Sequence, residues 1–162
     1  MNSDAMLRHE LLALLRGGNA HMGFDDAVTD FPVDALNNQV PQGTYLVWHL
    51  LEHMRIVQWD ILEFVRNPAH LSPDFPSGYW PPLGKKATAS TWNKSLKGFR
   101  KDLEDLQAIV SDPATRFFDP IPHARDYTVF REVLLAADHN SYHLGEFVSL
   151  RRVLNMQPIK EY

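Results

Sequence analysis

The segment from residue 68 to residue 84 contains five prolines and two glycines, and it separates two long stretches with helical periodicity. Proline lacks a backbone N–H group and clashes with the preceding helical turn, so this segment is not helical. The helices before and after such a long connection can run in the same direction, as they do in helical bundles with a crossover. The segment therefore predicts a crossover loop within a helical fold.

Four stretches of the sequence place apolar residues three and four positions apart, which is the spacing of an amphipathic helix. Asp4 is a candidate N-cap for the first stretch, and Gly17 follows its last turn. No stretch of useful length alternates apolar and polar residues as a strand does. We predict an all-α fold, a four-helix bundle in one domain over residues 1–162, with the long crossover between helices 2 and 3. The predicted helices span roughly residues 4–16, 44–66, 90–111 and 128–154.

The composition is typical of a globular protein and argues against two classes of partner. Apolar residues make up 44% of the chain and charged residues 22%, with a formal net charge of −4. A nucleic-acid-binding domain usually has a net positive charge or a basic stripe, and this chain has neither. The first 18 residues carry charges within their apolar run, unlike a signal peptide or a membrane span. We expect a cytoplasmic protein with no nucleic-acid or membrane partner.

The sequence contains eight histidines and no cysteine. Without cysteine the chain has no thiolate to offer as a metal ligand or nucleophile, so any such chemistry must use other side chains. Two histidine pairs have the spacing i, i+4, which places both rings on one helix face: His49 with His53, and His139 with His143. Imidazole suits divalent zinc, nickel, iron or copper. Two such pairs on different helices can converge on a metal ion in a bundle core, but they also fit histidines that are merely packed there.

One metalloprotease motif is excluded at the second pair. In H-E-x-x-H a glutamate follows the first histidine and serves as the general base, whereas Asn140 follows His139 here. The H-x-x-x-H spacing alone does not specify a reaction.

Several stretches resemble the DinB-like, or YfiT-like, superfamily, whose name refers to DNA-damage-inducible genes. They include LLEHMRIVQWDILEFVRNP, DHNSYHLGEFVSLRRVLN, GGNAHMGFDDAVTDFP and SPDFPSGYWP, and together they cover most of the chain. The resemblance implies a four-helix bundle with a long crossover. It also implies a three-histidine metal site, which here corresponds to His53, His139 and His143, with zinc or nickel as the metal. His49 lies one turn before the matching position and is interpreted as a neighbour of the site or a competing ligand.

The resemblance further implies a divalent-metal-dependent enzyme acting on a small molecule. Characterised relatives use low-molecular-weight thiols as cosubstrates, so the leading hypothesis is a thiol-dependent S-transferase, with a small-molecule hydrolase beside it. The alternative is a non-catalytic metal-binding or small-ligand-binding protein in which the histidine site is a structural or sensor element. The enzyme requires an open coordination position, whereas the alternative predicts a closed shell with His49 as fourth ligand. We also expect a homodimer.

Other polar residues near the histidines have weaker claims. Carboxylates often orient metal-bound imidazoles, and Glu52, Asp138 and Glu146 lie close to the histidines in sequence, although a solvated helix surface is the ordinary location for such residues. Asp60 lies two turns beyond His53 and can contribute a polar contact on the same face. In the loop before the second helix, His21 can approach the site or be exposed to solvent. Arg151 and Arg152 lie near the C-terminal end of the last predicted helix, where their positive charge either interacts favourably with the helix dipole or binds an acidic cosubstrate.

Overall fold

The computed structural model describes residues 2–41 and 43–156, and the chain is mostly helical, as the sequence predicts. Among these residues, four α-helices are long and one is short, and one two-stranded antiparallel sheet lies between the last two helices in sequence. Within these described residues, no helix is both long and apolar enough to cross a membrane. The helices are α1 (Ser3–Arg16), α2 (Phe24–Val28), α3 (Val47–Arg66), α4 (Ala89–Ser111) and α5 (Val129–Val153), and the strands are β1 (Pro120–Ile121) and β2 (Ala124–Thr128).

Side-chain caps mark the start of three of the four long helices, and two starts differ from the prediction. The N-cap of α1 is Asn2, whose side chain accepts a hydrogen bond from the backbone N–H of Ala5, so Asp4 lies within the first turn. Helix α3 begins at Val47, after the predicted start, because Leu46 immediately before it has an extended backbone. Thr128 caps α5 through its side-chain oxygen, close to the predicted start.

Helices α3 and α4 run in the same direction, as expected from the crossover between them. Residues near the start of one helix contact residues near the start of the other, and the same holds for their middles and ends. The contacts are Trp48 with Ser95, Gln58 with Phe99, and Arg66 with Asp105.

The apolar core lies in two clusters along these helices. The first combines α2 with the start of α3 and the end of α5, and it includes the fully buried Leu51 and Phe147. The second combines α1 with the ends of α3 and α4, and it includes Leu62 and Val110. Burying each such side chain stabilises the fold by about 1.5–3 kcal/mol, so the packing fixes the helix faces on which polar side chains lie.

The crossover between α3 and α4 is extended, with one 3-10 turn at Ser77–Tyr79. Two buried histidines of α3 donate hydrogen bonds to its backbone: His49 to the carbonyl of Lys85 at 2.7 Å, and His53 to the carbonyl of Tyr79 at 2.9 Å. The crossover is therefore held against the same side of α3 that carries the histidine pair.

The strand pair β1–β2 was not predicted. Strand β2 is polar and lies largely at the surface, so it lacks the alternation of apolar and polar residues that identifies a strand. His123, in the turn between the strands, donates a hydrogen bond to the carbonyl of Phe64 at 2.8 Å and so attaches the turn to α3.

Candidate metal centre

Three histidines from two helices meet at one point. His53 comes from α3, and His139 and His143 come from consecutive turns of α5. One ring nitrogen of each lies within 4.8 Å of the others, and the Nε2 atoms of His53 and His139 are 3.1 Å apart. These are the three residues that the resemblance identified, and we call them the histidine cluster.

The spacing of these nitrogens fits a divalent ion. Zinc–nitrogen bonds of about 2.0–2.1 Å in a tetrahedral site place neighbouring ligand nitrogens roughly 3.3 Å apart. The distance of 3.1 Å between the Nε2 atoms of His53 and His139 is close to that value. Because the ligand atoms of all three residues lie within 4.8 Å of one another, small side-chain movements would bring them to bonding distance of one ion. The cluster can therefore hold a metal ion.

Hydrogen bonds on the far side of two rings orient the cluster. The Nδ1–H group of His53 donates to the carbonyl of Tyr79 at 2.9 Å, and the Nδ1–H group of His143 donates to Oε2 of Glu146 at 2.5 Å. In a neutral ring this leaves the Nε2 lone pair unprotonated, which is the form that binds a metal. The Nδ1 atom of His139 is buried and has no hydrogen-bond partner among the described residues.

Glu146 is the carboxylate behind His143, and it is itself anchored. The hydroxyl of Tyr45 donates to its Oε1 atom at 2.9 Å. Burial alone raises the pKa of Glu146, but the hydrogen bonds from His143 and Tyr45 outweigh this and lower it. Burial, followed by the hydrogen bond to Glu146, raises the pKa of Tyr45. Glu146 is thus a carboxylate and Tyr45 a neutral phenol.

Burial also keeps two of the three imidazoles neutral. It lowers the pKa of His53 to about 4, with the nearby His143 acting in the same direction. Burial, with added repulsion from His143 and His53, lowers the pKa of His139 to about 3. Both rings are therefore neutral near neutral pH, so a metal ion does not have to displace the extra proton of a charged imidazolium at either ring.

The crossover forms one wall of the centre. The Trp80 ring stacks on the His53 ring with centroids 3.8 Å apart and an interplanar angle of 3°. The Tyr79 hydroxyl donates to Oδ2 of Asp60 at 2.7 Å, and Nε2 of His70 lies 2.7 Å from Oδ1 of the same carboxylate. Asp60 thus makes a polar contact on this face, as its spacing from His53 allowed. Its partners are the crossover residues His70 and Tyr79, and it is not part of the histidine cluster.

A cleft of about 580 Å³ opens beside the cluster and reaches all three rings. Its walls come from α3, the crossover and α5, so a small molecule in this cleft would contact the histidines directly. We call it the histidine cleft. Its lining residues are His53, Val57, Asp60, Ile61, Phe75, Pro76, Tyr79, Trp80, Leu135, Asp138, His139, Tyr142 and His143.

His49 and His21 lie outside the cluster. His49 is fully buried, and both of its nitrogens are used by backbone groups: Nε2–H donates to Lys85, and Nδ1 accepts from the N–H of Leu46 at 3.4 Å. His21 is half-buried, with Nε2 3.2 Å from the hydroxyl of Ser141 and Nδ1 2.9 Å from the carbonyl of Met22. His49 is therefore a structural link and His21 a contact to α5.

The three remaining charged candidates lie in three different places, and none of them contacts the histidine cluster. Glu52 pairs with Arg55 and accepts from Ser95, on the side of α3 that faces α4. Asp138 is exposed at the rim of the histidine cleft. Arg151 is buried and donates to the carbonyl of Thr29 at 2.7 Å, so it joins the end of α5 to the segment after α2.

Tyr45, Tyr79, Trp80 and His70 were not predicted as parts of the site. Three of them lie in the crossover, where no helical periodicity indicates which side chains turn inward. The only signal was the stretch SPDFPSGYWP within the resemblance, which carried no residue roles.

No family model matches this sequence, and neither the curated proteins nor the solved structures contain a significant match. These comparisons give no support to the DinB-like assignment, which stays a prediction from the resemblance of the stretches quoted above.

Proposed function

We propose that this chain is a DinB-like four-helix bundle whose histidine cluster binds one divalent metal ion, zinc or nickel. The observation that carries the proposal is the convergence of three imidazoles from two helices, with two of them already oriented by groups on their far side. Packed core histidines need no such arrangement.

We further propose that the bound metal serves an enzyme, either a thiol-dependent S-transferase or a small-molecule hydrolase. Three protein ligands leave a coordination position free for water or substrate, and the histidine cleft gives access to the cluster from solvent. When bound, a divalent ion in this setting supplies Lewis acidity, which lowers the pKa of water or stabilises a thiolate.

The chain's own groups then have defined tasks. The carbonyl of Tyr79 and the carboxylate of Glu146 fix the orientation of two imidazoles and raise their basicity. The stacked ring of Trp80 covers one face of His53 and keeps water from it. The histidine cleft binds the small-molecule substrate beside these groups.

The non-catalytic alternative, a closed structural or sensor site, has less in its favour. It requires a fourth protein ligand, and His49 is engaged with backbone groups on both nitrogens. The proposed cytoplasmic location and homodimer are further predictions, and light scattering on the purified protein tests the dimer.

The enzyme proposal is tested on metal-loaded protein with two parallel screens. One offers small thiols with an electrophilic acceptor, and the other offers activated esters and amides. Activity that disappears on chelation, returns on adding zinc or nickel, and is absent from His143→Ala supports the proposal. A tightly bound metal with no activity in either screen supports the non-catalytic alternative.

A further inference from the structure

The histidine cleft exposes an unusual amount of apolar surface. Phe75 on the crossover is 88% exposed, Tyr142 on α5 is 69% exposed, and Leu135 on α5 is 37% exposed, and all three line the cleft. Leu135, Asp138 and Tyr142 have the spacing i, i+3, i+7 and so share one face of α5. A ligand with an apolar body would remove this surface from water and gain binding free energy.

The charges around the same cleft are all of one sign. Among the described residues that line it, two are aspartates, Asp60 and Asp138, and none is lysine or arginine. The carboxylate of Asp138 is exposed, and among the described residues no side-chain hydrogen bond or ion pair engages it. The nearest cation along α5 is two turns away: Arg131 lines a neighbouring groove with Asp138, and its guanidinium is engaged by Glu132 at 2.6 Å.

Another cleft of the molecule has the opposite charge. A cleft between α3 and α4, of about 530 Å³, is lined by five cationic side chains and one carboxylate. An anionic ligand would find complementary charge there and not beside the histidines. Its cationic side chains are those of Arg55, Lys85, Lys94, Lys97 and Lys101.

From these observations we infer that the histidine cleft binds a small organic cation, a protonated amine on an apolar or aromatic frame. The frame packs against Phe75, Leu135 and Tyr142, and the ammonium group is paired with the carboxylate of Asp138. Exposed aromatic faces at the same mouth add cation–π attraction. The cation preference comes from the cleft walls alone and is expected of the metal-free protein, because a divalent ion on the cluster would repel the ammonium group.

Three probes with one skeleton test the charge preference: 3-phenylpropylamine, 3-phenylpropanol and 3-phenylpropionate. Dissociation constants are measured at neutral pH by calorimetry on chelator-treated, metal-free protein of full length. Removing the metal matters, because a divalent ion would attract the carboxylate probe. We expect the amine to bind about tenfold or more tightly than the carboxylate, with the alcohol between them.

The variant Asp138→Asn removes the rim charge and should abolish most of that preference while leaving the affinity for the alcohol unchanged. Asp126→Asn, an equal charge change at an exposed position on β2, should leave all three affinities as they are. The inference is overturned if the carboxylate binds as tightly as the amine, if Asp138→Asn keeps the preference, or if none of the probes binds. None of these results bears on metal binding, which is measured separately.

Discussion

The Nε2 atom of His139 lies 3.1 Å from the Nε2 atom of His53, although the two residues belong to different helices and are 86 positions apart in the sequence. In the metal-free protein one of these nitrogens must carry a proton, because two facing lone pairs repel each other. His53 already places a proton on Nδ1 for the carbonyl of Tyr79, so the shared proton belongs to His139. For both Nε2 atoms to bind one metal ion, the proton of His139 must move to Nδ1, so the ring stays neutral and changes tautomer.

Replacing Glu146 with glutamine should weaken metal binding without unfolding the protein. The carboxylate accepts from Nδ1–H of His143, and partners of this kind contribute about 10–100-fold to metal affinity. Competition with a chromophoric chelator measures the change. Glu104→Gln, at an exposed position on α4, is the matched control and should keep the parent affinity. An unchanged affinity in Glu146→Gln would show that this carboxylate does not support the ligand.

His49→Ala should lower stability but keep the metal. The substitution leaves a cavity and removes the donor to the carbonyl of Lys85, which together cost about 2–4 kcal/mol in the free energy of unfolding. Urea unfolding of the metal-free protein measures that loss. Metal content, determined on folded protein, should match the parent. If this variant loses the metal while its circular dichroism stays native, His49 is a ligand and the closed-site alternative gains support.

Tyr79→Phe should destabilise the attachment of the crossover. The variant keeps the backbone carbonyl that holds His53 but removes the hydroxyl that donates to Asp60. Leaving a buried carboxylate oxygen short of a donor costs about 1–3 kcal/mol. Denaturant unfolding measures this, with Tyr127→Phe on β2 as the control, since Tyr127 makes ring contacts at a more exposed position. Equal stability of the two variants would contradict a role for the Tyr79 hydroxyl.

Stability of the metal-free protein should fall as the pH drops from about 6.5 towards 4. Burial lowers the pKa of His53 to about 4 and of His139 to about 3, below the value of about 6.5 in an unfolded chain. In this window the unfolded chain binds more protons than the folded one, so acid favours unfolding. Each ring should contribute roughly 1–3 kcal/mol to the change.

Urea unfolding at a series of pH values gives this slope, and the variant His139→Gln provides the comparison. The variant lacks one of the two buried imidazoles, so its stability should depend less steeply on pH between 6.5 and 4. Carboxylates titrate in both proteins and cancel in the difference. Parallel curves for parent and variant would contradict the burial argument for His139.

The helices and the histidine spacing could be read from the sequence because both are local. Residues four apart on a helix share a face whatever the rest of the chain does, so His139 and His143 were paired before the fold was known. The choice of His53 over His49 was not local. Both lie on the same broad face of α3, and the crossover backbone accepts a hydrogen bond from each. The difference is that His49 also accepts from the N–H of Leu46, whereas Nε2 of His53 is not used by the backbone.

The carboxylates and the loop residues show the limit of periodicity most clearly. Glu52, Asp138 and Glu146 were equivalent candidates by spacing, and they lie respectively against α4, at the cleft rim and behind His143. Tyr79 and Trp80 could not be identified because an extended, proline-rich segment gives no pattern for inward-facing residues. Their positions follow from contacts with α3 that form only in the folded chain.

The most direct test of the account is the metal content of untagged protein, determined by plasma mass spectrometry. The parent and the exposed-histidine control His9→Ala should carry close to one zinc or nickel ion per chain, and the double variant His139→Ala, His143→Ala should carry essentially none. A parent that is purified without metal and takes up neither added zinc nor added nickel would contradict the metal centre and leave the three histidines as packed core residues.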